Sequence, residues 1–394
     1  MRVRTLDDLE LSGKRALVRA DFNVPMRKGR ITDDTRIRST IPTIKALIER
    51  GASVVLMSHL GRPKGQPVDE LRLRPVAAHL GGLLDSQVSY AHEVSGPAAR
   101  KMVDDLKPGE VGMIENVRFD PREEKNDSEL ARELAELGDC FVSDAFGAAH
   151  RAHASTVGVA EHLPSAAGLL MEKEIKALSW VLTDAQQPFV VILGGAKVSD
   201  KIGVIQNLLG RAQRLIIGGG MANTFLKAAG NDVGVSMVED ESVQTAKDLM
   251  ARAADEGVDL RIPVDGVVAK SFDADADART VAVGDFESDD MMLDIGPKTV
   301  DRFKEALAGA QTIVWNGPMG VFEFDQFAAG TKAIAQAVAE SGAYSLIGGG
   351  DSVAAIEQMG LAGEISHIST GGGASLEFLE GQDLPGVKVL LEQE

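Results

Sequence analysis

Residues 189–230 read FVVILGGAKVSDKIGVIQNLLGRAQRLIIGGGMANTFLKAAG. Two short runs rich in Val, Ile and Leu, 189–193 and 214–218, each close on glycines, and a helical stretch lies between them. An apolar run of five residues bounded by glycine suits a strand buried on both faces, and a helix between two such strands makes a parallel crossover. Working outward, further runs of this kind occur at 15–21, 53–58, 111–115 and 140–144, and then at 312–316, 344–348 and 366–369. Amphipathic segments lie among them: Asp34 to Arg50, Ser128 to Leu137, Val243 to Glu256, Val300 to Leu307 and Thr331 to Glu340. The alternation predicts an α/β protein of two doubly wound, Rossmann-like parallel-sheet domains. A helical pattern from Leu169 to Leu182 is placed to join them as a hinge helix, giving expected domains of 1–170 and 171–375.

Composition agrees with an enzyme of this size. The 394 residues are 44% hydrophobic and 25% charged, the balance of a folded soluble chain rather than a disordered one. No apolar run reaches the roughly 18 residues a membrane span needs, and the N-terminus lacks the apolar core of a signal peptide. The single cysteine, Cys140, lies in an apolar run, excludes an intrachain disulfide, and suits a reducing, cytoplasmic setting. A net charge of −18 argues against a general nucleic-acid binder. With no exposed apolar helix stripe evident, a monomer is expected.

The charge is divided unevenly. Residues 1–170 are nearly neutral and hold 17 of the 23 arginines, whereas the remainder carries a net charge of −17. Parallel sheets bind ligands at the carboxyl ends of their strands. In the first half those ends carry Asp21 and Asn23 in DFNVP, His59 and Arg62 in HLGRP, Arg118 in ENVRF, and Arg151 after DAFGAAH. Arg36 opens the first long helix. Guanidinium groups at successive strand ends suit a small polyanion such as a phosphorylated carboxylic acid.

In the second half the strand ends are glycine: LGGAKVSDK, GGGMANTF, NGPMGVFE, GGGDS and STGGGAS. Glycine lets the backbone approach phosphate closely, and a following helix N-terminus offers free N–H groups. Five such turns predict a nucleotide site, although neither a Walker A loop nor G-x-G-x-x-G occurs. Lys197 and Lys201 are placed as point charges for the terminal phosphates. Asp351 is a candidate ligand for Mg²⁺, or alternatively a helix N-cap. The segment SFDADADARTVAVG opens like a calcium loop but has Ala278 and Gly284 where Gly and Glu are required, so it reads as a solvated acidic loop. The missing fingerprint weighs against a dinucleotide-dependent dehydrogenase. A non-catalytic two-domain binding protein remains open at this point.

The strings DFNVP, HLGRP, ENVRF, HRAHAST, LGGAKVSDKI, GGGMANTFLKA, WNGPMGVFE, GGGDSVAA and TGGGASLEFLEG resemble the successive motifs of phosphoglycerate kinases, in order, from Arg15 to Val389. One departure is Gln382, where the family pattern has Lys. The resemblance implies reversible phosphoryl transfer from 1,3-bisphosphoglycerate to ADP, giving 3-phosphoglycerate and ATP, after hinge closure. It assigns Asp21, Asn23, Arg36, His59, Arg62, Arg118 and Arg151 to the triose, with no nucleic-acid or membrane partner. It assigns Lys197, Lys201, Gly219, Asn316, Glu323, Gly350, Asp351 and Ser352 to the nucleotide, with Mg²⁺ on Asp351 and Glu323 on the ribose. Arg36, Lys197 and the Gly373 helix start are implied at the transferred phosphoryl. The segment 376–394 is expected to return to the first domain.

Overall fold

The computed structural model describes residues 2–392. It divides into two compact units, one through Lys176 together with the segment from Asp383 on, the other Ala177–Gln382. The first break falls inside the helix Leu169–Thr183, later than the expected 170. The short helix Gly373–Leu379 stays with the second unit, and the chain rejoins the first unit from 383 rather than from 376. There Val3 bridges Leu391, Arg4 N–H donates to Leu390 O at 2.9 Å, and Gly386 N–H donates to Ala149 O at 2.8 Å.

The first unit is built on six parallel strands: β1 (Arg15–Ala20), β2 (Ser53–Met57), β3 (Val88–Tyr90), β4 (Val111–Met113), β5 (Cys140–Asp144) and β6 (Ser165–Ala167). Their order is β3-β4-β2-β1-β5-β6. Helices cover both faces, so β2 and β5 are buried at every residue, which is why each carries an apolar run, 54–57 in β2 and 140–142 in β5. Burying each Val or Leu of such a run contributes roughly 1.5–3 kcal/mol before chain entropy is charged. Register sets the site: Arg19 lies beside Met57 and Ala20 beside Asp144, so β1, β2 and β5 deliver their following residues to one edge. The order reverses across β1, making that edge a switch-point crevice.

The second unit holds β7 (Phe189–Leu193), β8 (Arg214–Ile217), β9 (Asp259–Arg261), β10 (Asp265–Ala269), β11 (Arg279–Ala282), β12 (Met291–Ile295), β13 (Thr312–Asn316), β14 (Tyr344–Gly348) and β15 (His367–Ile368). Six of them form a parallel sheet, β9-β8-β7-β13-β14-β15, around Trp315, which is fully buried. The other three form an antiparallel sheet, β11-β10-β12, which the sequence reading missed. Part of the expected acidic loop, Arg279–Ala282, is therefore β11; the stretch before it and the turn at 283–284 lie outside the strand.

The start of the helix Leu169–Thr183 is tied to the first sheet. Asp144, at the end of β5, accepts N–H bonds from Leu170 at 3.0 Å and Met171 at 3.2 Å, and Leu169 N–H donates to Thr43 Oγ1 at 3.0 Å. These bonds satisfy donors that a helix start leaves open. Among the described residues Asp144 Oδ2 has no hydrogen-bond partner, and burial pushes the carboxyl up to about 7.

Candidate active site

The first unit assembles the cationic cluster at its switch-point edge. Arg36 Nη1 donates to Asp21 Oδ2 at 2.8 Å, which orients the guanidinium from the helix Thr35–Glu49 over the end of β1. Asn23 Oδ1 accepts from Gly61 N at 2.9 Å, and Arg118 Nη1 donates to Gly61 O at the same distance, so the HLGRP turn is clasped from two sides. His59 is buried at the end of β2, whereas Arg62 and Arg151 are exposed. Arg62 makes no side-chain contact with a partner among the described residues, and Arg151 Nε lies 3.0 Å from His150 Nε2. The cluster is electrostatically one body. Burial, then Arg19, Arg118, Arg36 and His153, hold His59 well below the usual histidine range. Burial, then Arg118, Arg19 and Arg151, bring His153 down to about 4.

Sequence reasoning missed the layer beneath. Arg19 is fully buried, its Nε donating to Ser155 Oγ at 2.9 Å while Ser155 Oγ donates to Glu123 Oε1 at 2.6 Å. Glu123 is fully buried too. The available signal was a charged residue inside RALVRA, a run otherwise suited to a covered strand.

In the second unit two cavities adjoin along the β7/β13 switch point. The larger, about 680 Å³, is mostly apolar, with Val235, Met237, Phe272, Leu293, Met319 and Phe324 on its wall and Gly219, Glu323 and Asp351 at its polar margin. Phe272 and Phe324 pack with ring centroids 5.3 Å apart. The smaller, about 360 Å³, is lined by Lys197, Lys201, Asn316, Gly350, Asp351, Ser352 and Gly373. Gly195, Ala196, Pro318 and Asp351 belong to both walls. Every predicted nucleotide residue thus lines one of the two. Asn223, Phe272 and Phe324 were missed; the antiparallel sheet and its flanks bring the two rings there from distant sequence.

Glycine is needed where these turns meet. A Cβ on Gly194 would stand 2.1 Å from Pro318 O, and one on Gly317, whose φ is +95°, 2.3 Å from Gly194 C. The helix Gly350–Gln358 has Gly349, not Asp351, at its N-cap, and among the described residues no side-chain cap bonds its first N–H groups. Asp351 sits in its first turn, exposed and without a hydrogen-bond partner among the described residues. A free carboxylate is a ligand that a hard divalent cation uses together with phosphate oxygens and water, and the open N–H groups beside it are donors for phosphate oxygens. Ser352 Oγ accepts from Gly317 N at 2.6 Å and locks the turn. Lys201 is buried, its Nζ donating to Asn316 Oδ1, and burial brings its ammonium down to about 8 against the pull of Asp200, Asp351 and Glu380.

The acidic group Glu287, Asp289 and Asp290 is an ion-pair network: Lys270 Nζ reaches all three, and Arg279 Nη2 reaches Asp290 Oδ1 at 2.6 Å. Cys140 is buried in β5 with its thiol pushed up to about 11, so it is unreactive core.

A family model described as phosphoglycerate kinase matches residues 6–382. A curated phosphoglycerate kinase of Roseiflexus castenholzii is 59% identical over 392 residues, covering 99% of each chain. The chain belongs to the phosphoglycerate kinase family. The phosphoglycerate kinase of Chloroflexus aurantiacus is 58% identical over 400 residues and covers both chains fully. Solved structures agree: that of phosphoglycerate kinase from Coxiella burnetii superposes with a TM-score of 0.90 at 45% identity over 99% of both chains. That from Pyrococcus horikoshii gives 0.83 at 37% identity over 98% of both. Membership in the phosphoglycerate kinase family makes the chain an enzyme, a kinase that moves a phosphoryl group reversibly between 1,3-bisphosphoglycerate and ADP. The non-catalytic binding protein is set aside.

Proposed function

We propose that the two units divide this reaction, the first binding the triose through its arginine cluster and the second binding ADP or ATP in its paired cavities. The observation that carries the reading is the pairing itself: an apolar, glycine-margined cavity sized for a base and ribose opens onto a lysine- and glycine-lined one suited to phosphates. In the forward direction the bond between phosphorus and the carboxyl oxygen breaks, a bond forms from an ADP β-phosphate oxygen to that phosphorus, and a carboxylate leaves. No protein nucleophile is required, because both reacting oxygens belong to substrates.

Charge in the transition state spreads over three equatorial oxygens, so positioning and neutralisation are the protein's task. Arg36, Lys197 and the helix start at Gly373 are assigned there, with Lys201 held by Asn316 behind them. Asp21 orients Arg36; Asn23, His59, Arg62, Arg118 and Arg151 hold the triose. Gly219 flanks the base, Glu323 takes the ribose hydroxyls, and the Gly350–Asp351–Ser352 turn receives the phosphates. Asp351 would hold Mg²⁺, which would supply positive charge to offset that of the phosphates. Substrates held on separate units require hinge closure about the helix Leu169–Thr183, which would exclude water and align donor with acceptor. We further place the chain in the cytoplasm as a monomer. Among the described residues no helix is long and apolar enough to cross a membrane.

Calorimetric titration tests the division of labour. Lys197→Ala is expected to weaken Mg-ADP binding and leave 3-phosphoglycerate binding intact, with Arg118→Ala doing the reverse. Equal loss of both ligands in either variant would defeat the assignment.

A further inference from the structure

We infer that Arg19 is a positioning residue that fixes His59 as a neutral imidazole with its proton on Nε2, so that the triose site holds a directed N–H donor in place of a titrating cation. The inference rests on the reading of the first unit as the triose site. Arg19 Nη2 lies 3.1 Å from His59 Nδ1. A guanidinium offers only donors, and arginine does not deprotonate in proteins, so Nδ1 must accept and the ring proton must sit on Nε2. Arg19 itself has no freedom to turn away. It is fully buried, with Nε on Ser155 Oγ and Nη1 on Ala20 O at 2.5 Å. Ser155 in turn is held on Glu123 by its hydroxyl and by its N–H at 3.0 Å.

The surroundings disfavour the alternative. Burial, then Arg19 from β1, Arg118, Arg36 from its helix and His153, all disfavour a second proton on His59, while the carboxylates of this cluster are engaged elsewhere: Asp21 accepts from Arg36 and Glu123 from Ser155. A second proton would place a buried imidazolium among three guanidinium groups and set Nδ1–H against Nη2–H. A neutral donor also keeps its geometry across the pH range in which an ordinary histidine titrates.

The test is a two-bond ¹H–¹⁵N correlation spectrum of protein labelled with ¹⁵N-histidine, with His59 assigned by loss of its signals in His59→Gln. The expected wild-type result is the Nε2–H neutral pattern throughout about pH 5.5 to 8. In Arg19→Met the pattern should become mixed or protonate on acidification. The KM for 3-phosphoglycerate should then rise roughly tenfold above neutrality, for one lost hydrogen bond to a charged group. Relative to wild type it should fall again as the pH is lowered and the ring becomes cationic, with kcat changing less. An Nδ1–H pattern, or protonation near the ordinary histidine pKa in wild type, overturns the proposal even if Arg19→Met folds poorly. An Nε2–H signal that 3-phosphoglycerate leaves unmoved overturns the placing of the triose, and with it the donor's purpose.

Discussion

Lys201 offers a trade between stability and function whose size follows from its surroundings. Burial brings its ammonium from 10.5 to about 8, and the residue is only 8% exposed. At about 1.4 kcal/mol for each pKa unit, keeping it charged in the free protein near pH 7 costs about 3 kcal/mol. Replacement by Met removes that cost but strands Asn316 Oδ1, now its acceptor, at about 1–1.5 kcal/mol. The Lys201→Met protein without ligand should therefore be more stable by about 1–2 kcal/mol near neutral pH. The sign with pH follows from the folded value lying below the unfolded one. The destabilisation is fully present below about pH 8 and is relieved as the pH rises toward 10.5, where the unfolded chain also loses its proton. The gap between variant and wild type should narrow over that window. Polyphosphate reverses the balance by supplying the anion the ammonium lacks, so ADP affinity should fall by roughly 10- to 100-fold in the variant. Urea unfolding at two pH values and titration with Mg-ADP measure both effects. A variant that is less stable than wild type at neutral pH yet binds ADP unchanged would refute the reasoning.

Four further outcomes are expected. Arg36→Ala should lower kcat by roughly 10²- to 10³-fold while moving the KM for 3-phosphoglycerate less; an unchanged kcat takes Arg36 out of the transition state. Asp351→Ala should weaken use of Mg-ATP and raise the Mg²⁺ concentration needed for half activity, and chelation of Mg²⁺ should stop wild-type turnover; identical Mg²⁺ dependence in variant and wild type argues against the ligand role. Gly317→Ala drives a methyl group into the Gly194 backbone at a positive φ and should cost about 3 kcal/mol or more, readable as a lowered unfolding midpoint. Asp144→Asn should remove a pH term: the folded pKa of about 7 lies above the unfolded 3.8, so wild-type stability falls between those values as the pH rises. The variant's curve should be flatter there, and parallel curves would contradict a buried carboxyl that resists ionisation.

The central strands were legible because burial on both faces keeps their interiors apolar, as throughout FVVIL and in the Ile-Val-Trp centre of TIVWN. Three of the four strands at the margins of the two parallel sheets were not. Val88–Tyr90 is half-buried throughout, Ser165–Ala167 contains no branched residue, and Asp259–Arg261 is charged at both ends. The antiparallel sheet hid for a different reason: its members are separated by acidic loop, and Arg279–Ala282 alternates between half-buried and exposed residues. At the site, glycine turns and strand-end arginines mark ligand contact directly. Supporting residues carry no such mark. Arg19 matters because it touches Ser155, 136 residues away, Glu123 because it holds that serine, and Asn223 because its helix brings it to a cavity wall completed by Phe272 and Phe324.

The most direct test of the account is a coupled assay with ATP, Mg²⁺ and 3-phosphoglycerate, in which a dehydrogenase reports 1,3-bisphosphoglycerate by loss of NADH absorbance. The account predicts turnover that saturates in both substrates, vanishes without Mg²⁺ and collapses in Arg36→Ala. Saturable binding of both substrates with no turnover would contradict it.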